Sequence, residues 1–367
     1  MSKSIPQLRD ELHELAGRFN RRVQLMEVCG THTVAIFRSG IRSMLPDNLR
    51  LVSGPGCPVC VTPQRYIDAA IELASRSNVI IATYGDMIRV PGRRGSLERQ
   101  RAQGADVRVV NSARTAVQLA RDNPQRAVVF LGVGFETTAP ATAATVLEAD
   151  FDNVTNFSVL MCHKLVVPAM LALLQTADVP LDGFLCPGHV SVIIGAAAYR
   201  PVVEQHRRPC VVAGFEPHQI MLGLVHFARQ VVQGEARLEN VYNSVVDDVG
   251  NTTALTLMRE VFITADTPWR ELGNIPQSGL ELAPPYCRFD AVEQFGLTLG
   301  DDQDHPACLC GQVIQGKAEP ADCPLFATEC TPLDPIGPCM VSSEGTCSAW
   351  YKYNRPSVRC GEVPHRD

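Results

Sequence analysis

Half of the chain's 14 cysteines stand at or beyond residue 308: Cys308, Cys310, Cys323, Cys330, Cys339, Cys347 and Cys360. Thiolates are soft ligands for iron, zinc and Fe–S clusters, and they also carry redox chemistry. Four of the seven form the array Cys308-x14-Cys323-x6-Cys330-x16-Cys347. Four thiolates suit a [4Fe–4S] cluster or a structural zinc ion. The spacing is neither the compact bacterial ferredoxin run nor a pair of CxxC knuckles, which favours the cluster and leaves zinc as the open alternative. Cys310 could replace Cys308 as ligand, and spacing alone does not separate the two. Cys339 reads as a buried small residue and Cys360 as an exposed one near the end of the chain.

Three more cysteines lie near the N-terminus. Cys57 and Cys60 form a CxxC within GPGCPVC, ahead of a predicted helix at 63–76. A pair at this spacing can close a disulfide, and a helix N-terminus lowers the pKa of the first thiol. Half of a zinc site is the competing reading, but no second CxxC completes it. Cys29 opens CGTHT, ahead of a predicted helix at 34–40 that Thr31 or Thr33 could cap. Cys29 is then a candidate nucleophile or iron ligand with His32 close in sequence; the bland alternative is a buried cysteine beside a surface histidine. His189 in CPGHV and His163 in MCHK follow predicted strands. Each is a candidate ligand or proton carrier, or a structural histidine. Glu136 and Glu216 recur in two Gly-Phe-Glu segments at strand ends, as candidate acceptors or helix caps.

These residues need a scaffold. The chain has 367 residues, is 46% hydrophobic and 20% charged, and carries a net charge of −6, so nothing electrostatic points to nucleic acid. No apolar run reaches the length of a membrane span, and the amphipathic start is no secretory signal. The expected location is cytoplasmic, where clustered cysteines are ligands or redox groups rather than staples. Short Val/Ile/Leu-rich runs at 51–53, 79–83, 107–111, 127–133, 157–161, 183–186 and 210–213 read as strands buried on both faces. Helical patterns follow most of them, at 63–76, 112–122, 141–148, 166–175, 190–198 and 218–233. The expectation is α/β: two related parallel-sheet α/β lobes facing a cleft, with ligands at the carboxyl ends of the strands. From Thr267 prolines multiply and periodicity fades. A boundary is placed near 265–285, giving lobes at 1–150 and 151–265 and a loop-rich iron–sulfur domain at 266–367. Walker A, Rossmann and GxSxG motifs are absent from the sequence.

Taken together, CGTHT (29–33), GPGCPVC (54–60), GFETTAP (134–140), PGHVS (187–191), GFEP (214–217) and GPCMVSSEGTC (337–347) resemble the HypD family of hydrogenase maturation proteins. The motifs occur in the expected order over nearly the whole chain. The resemblance implies a scaffold for assembling the Fe(CN)2CO unit of [NiFe] hydrogenases, acting with a HypC-like small chaperone and a HypE-like cyanide donor. It implies that Cys29 binds the nascent iron and that Cys57 and Cys60 form a redox pair. It also implies that Cys308, Cys323, Cys330 and Cys347 hold a [4Fe–4S] cluster, the family spacing favouring Cys308 over Cys310. His32, His189, Glu136 and Glu216 are the accompanying polar candidates. Two other readings remain: an Fe–S-dependent protein disulfide reductase, and a non-catalytic adaptor built around zinc.

Overall fold

The computed structural model describes residues 3–175 and 179–354; Cys360 lies outside them. Two parallel sheets form the frame. The first has strand order β2-β1-β7-β8-β9, from β1 (Val23–Cys29), β2 (Leu49–Gly56), β7 (Gly183–Pro187), β8 (Cys210–Ala213) and β9 (Leu238–Asn240). The second has order β4-β3-β5-β6, from β3 (Val79–Thr83), β4 (Val107–Val109), β5 (Ala127–Gly134) and β6 (Phe157–His163). All pairings within both sheets are parallel. The apolar runs are short because such strands are buried on both faces, and helices supply the crossovers.

The α/β expectation with two parallel-sheet lobes holds. Chain order does not divide the sheets at residue 150, however. β1 and β2 leave the first sheet, the chain builds all of the second, and β7–β9 return to complete the first. A central strand can wait for late partners because pairing is decided by tertiary packing. One apolar core runs through both lobes, joining Val28, Val52 and Phe184 to Val129, Leu131 and Leu160.

The boundary expected at 265–285 falls inside an antiparallel hairpin of β10 (Phe262–Trp269) and β11 (Gly273–Leu282). Pro268 and Pro276 were expected to break structure there. A two-stranded ribbon consists only of edges, and edge strands tolerate proline. Beyond it the chain is irregular, with short helices at Cys310–Ile314, Pro338–Val341 and Thr346–Tyr353. No helix among the described residues is long and apolar enough to cross a membrane.

Candidate functional site

In the first sheet β1 is flanked by β2 on one side and β7 on the other, so the strand order reverses direction there. Crevices at the carboxyl ends beside such a reversal are where open α/β sheets place ligands. Cys29 is the last residue of β1, and His189 lies two residues past β7. Cys29 Sγ stands 3.4 Å from His189 Nε2. On the other flank the ladder pairs Cys29 with Gly56, the residue before Cys57. Glycine is required at that point: a Cβ on Gly56 would overlap the Val28 carbonyl and stand 2.6 Å from the Cys29 Cα. One strand end therefore gathers three sequence motifs.

The helix after β1 runs Gly30–Arg38, four residues earlier than its pattern predicts, and Cys29 is its N-cap. Thr31 and Thr33 lie inside the first turn and cap nothing. The Thr31 hydroxyl instead donates to Glu344 Oε1 at 2.6 Å. His32 is no surface residue. It is fully buried, its Nε2 donates to the Gly214 carbonyl at 3.0 Å, and its Nδ1 has no partner. Phe215 of GFEP lies between the two imidazoles, its centroid 4.6 Å from that of His32 and 4.8 Å from that of His189. Burial pushes the His32 pKa down to about 4, so the ring is neutral.

Cys29 is 2% exposed. Burial, aided by the Glu344 charge, pushes its thiol up to about 12, outweighing the backbone N–H groups that favour a thiolate. The group is a protonated thiol in this state. A metal ion arriving at sulfur would displace that proton, since metal ligands bind deprotonated.

Cys57 and Cys60 are joined as a disulfide with Cα atoms 5.3 Å apart. Cys57 caps the short helix Pro58–Val61, and its sulfur accepts from the Cys60 N–H at 3.2 Å. That helix packs against helix Pro338–Val341, which carries Cys339. Cys339 is buried, as expected, but it is also paired: its sulfur lies 2.9 Å from Cys310 Sγ. The sequence carried no signal for this pair, whose members are far apart along an irregular segment.

The pair adjoins the neighbouring array. Cys308, Cys323, Cys330 and Cys347 pack at a small apolar cluster containing Leu325 and Met340, while Cys308 and Cys347 also pack against the core that holds Cys310 and Cys339. The Ile336 N–H donates to Cys330 Sγ at 3.3 Å. Among the described residues no three His, Cys, Asp or Glu side chains converge as ligands of a single metal ion would. A cubane cluster binds each thiolate at a different corner, so its four sulfurs surround a volume rather than meet at a point. The donor set, four cysteines lining one apolar cluster, fits that group.

Glu136 and Glu216 hold helix ends. Glu136 Oε1 accepts from the Val166 N–H at 2.9 Å, at the start of helix Val166–Gln175, while Oε2 has no partner. Burial raises the Glu136 pKa to about 7. Glu216 is exposed and forms a capping box with Gln219. His163 is buried, with Nε2 2.9 Å from Thr142 Oγ1, apart from the Cys29 constellation. Burial, with Lys164 adding repulsion, lowers its pKa to about 4. The folded state therefore refuses a proton that the unfolded chain accepts below about 6.5, and stability is lost as pH falls from 6.5 towards 4. His163→Gln is expected to flatten that decline by up to roughly 3 kcal/mol in denaturant titrations across this window; an unchanged slope would contradict the assignment.

A family model described as HypD, hydrogenase formation hypA family, matches residues 3–354. The chain belongs to the HypD family of hydrogenase maturation factors. The hydrogenase maturation factor HypD of Escherichia coli K12 is 45% identical over 352 residues, covering 96% of this chain and 94% of the relative. The HypD of Cupriavidus necator is 45% identical over 346 residues, covering 92% and 91%. That of Azotobacter vinelandii is 46% identical over 342 residues, covering 91% and 90%.

Proposed function

We propose that this chain is the scaffold on which the Fe(CN)2CO unit of a [NiFe] hydrogenase is assembled. The observation that carries the reading is the convergence at the end of β1: Cys29 lies beside Gly56-Cys57 on one flank and His189 on the other. A soft, water-excluded thiol is suited to low-spin iron bearing cyanide and carbonyl. Cys29 would hold the iron together with a thiolate from a HypC-like partner, with His189 the nearest base for the displaced thiol proton. The surroundings work in the same direction, because burial excludes competing ligands.

Cyanide is released from a thiocyanate-type carrier, supplied by a HypE-like partner, by two-electron reduction. In balanced form, R–SCN plus a dithiol gives R–SH, CN⁻, H⁺ and a disulfide. Cys57 and Cys60 would be that dithiol; their sulfurs stand close enough to close into the disulfide product. Cys308, Cys323, Cys330 and Cys347 would hold a [4Fe–4S] cluster, which supplies electrons singly when bound. The helix carrying Cys339 packs against the CxxC helix, so the two cysteine regions are in contact.

Infrared spectroscopy of the anaerobic complex with the small partner tests the reading; iron-bound cyanide and carbonyl bands are expected, and their absence refutes it. Cys57→Ser is expected to abolish maturation in a deletion strain while sparing the visible absorption of the cluster. Undiminished hydrogenase activity in that strain would remove the pair from the mechanism.

A further inference from the structure

Cys29 is buried at the carboxyl end of β1. The segment reaching that end is 342–345, which joins helix Pro338–Val341 to helix Thr346–Tyr353. Its Glu344 backbone lies on Gly30, where a Cβ would overlap the Glu344 carbonyl oxygen. On that side Thr31 donates to Glu344 Oε1 at 2.6 Å. The other side is pinned by Asp86, which follows β3 in the second sheet. One Asp86 oxygen accepts from the Ser343 N–H at 2.9 Å, from Ser343 Oγ at 3.0 Å and from Ser342 Oγ at 3.3 Å. Just before the segment, Arg89 donates to the Val341 carbonyl at 3.1 Å.

The segment thus straps the carboxyl end of one sheet to that of the other, across the Cys29 end. Its sequence, Ser-Ser-Glu-Gly, offers no apolar side chain to bury. Its backbone packs closely, Glu344 on Gly30 and Gly345 on Cys339, and its side chains are fastened by hydrogen bonds. Such bonds contribute little net stability because water replaces them on opening, so a polar strap opens locally at far lower cost than an apolar plug. The sheets beneath it are packed on both faces and have no comparable freedom.

We propose that strap 342–345 is a gate over the Cys29 thiol, latched by Asp86 and Thr31, which lifts to admit the iron cargo and closes behind it. The proposal rests on the reading that Cys29 is the anchoring thiol. It explains why Ser342, Ser343 and Glu344 interrupt the cysteine-rich region with polar side chains that reach Asp86, beyond the second sheet's β3, and Thr31, beyond the first sheet's β1. It also explains how a thiol can be both buried in this structure and the recipient of a ligand.

The test is the rate at which iodoacetamide alkylates Cys29 in the anaerobically purified full chain, read by peptide mass spectrometry at one fixed pH. Asp86→Ala and Thr31→Val each remove a fastening. Each is expected to accelerate Cys29 alkylation by roughly tenfold, the effect of losing one charge-assisted hydrogen bond. Cys186, fully buried in β7, is the internal control and its rate is expected to stay unchanged. Should either variant fail to fold, Ser343→Ala removes one bond to Asp86 without touching the sheets. Wild-type alkylation rates in the folded variants overturn the gate, and so does parallel acceleration of Cys29 and Cys186, which marks general loosening. No cargo is needed for this measurement. Unchanged alkylation therefore sinks the gate alone, whereas iron–cyanide bands that survive loss of the Cys29 sulfur sink the anchoring role alone.

Discussion

Cys29→Ala is expected to abolish the infrared bands of iron-bound cyanide and carbonyl in the anaerobic complex with the small partner, and with them hydrogenase maturation. The substitution deletes one sulfur atom from a buried site, so the loss of packing costs about 1 kcal/mol and the fold survives. Cluster absorption and the Cys57–Cys60 pair are expected to remain. Cys29→Ser gives a sharper form of the test. It preserves size and the capping position at helix Gly30–Arg38 but replaces a soft ligand by a hard one. Loss of the bands in both variants identifies sulfur ligation rather than shape as the requirement. The disulfide-reductase reading expects the opposite pattern, with partner reduction through Cys57 and Cys60 indifferent to residue 29. Wild-type band intensity in Cys29→Ala would remove the iron from this site.

Most of the frame was legible because strands buried on both faces announce themselves as apolar runs. β9, with no fully buried residue, left no such run, and neither did β1. The β1 sequence VQLMEVC carries Glu27, which reads as a polar interruption yet is buried, accepting from Ser53 Oγ at 3.0 Å in the neighbouring strand. A side chain satisfied by a partner from another strand leaves no trace in local periodicity. The same limit applied to sheet order, since the late return of β7 beside β1 is a tertiary choice. It also hid the Cys310–Cys339 pair and the contact of Glu344 with Thr31, each of which joins residues with no fixed spacing. The motifs placed Cys29 and Cys57 at strand ends, where the fold has them. What they left out is that His32 is buried against Phe215, and what they left open is which of two roles Glu136 and Glu216 take; both serve helix termini. A short polar residue ahead of a helix can be a cap or an acid–base group, and only its surroundings distinguish the two.

Cys323→Ala and Cys310→Ala are expected to diverge, although both remove a thiol from the same irregular region. Cys323 shares the apolar cluster of Leu325 and Met340 with Cys308, Cys330 and Cys347, whereas Cys310 is turned towards Cys339. Loss of Cys323 removes one of four ligands, so the brown absorption near about 400 nm from thiolate–iron charge transfer should disappear. Structure should be lost with it. The segment beyond residue 296 contains only short helices, and a bound metal centre contributes its binding free energy to folding. Proteolysis beyond that point is therefore expected to accelerate in Cys323→Ala. Cys310→Ala should retain both the absorption and the protease resistance, because its partner is a thiol outside the four. Iron and sulfide analysis of the two purified variants decides the matter. Equal cluster content in both would dissolve the distinction between the array and the pair, and a cluster lost only with Cys310 would transfer the first ligand position from Cys308 to its neighbour.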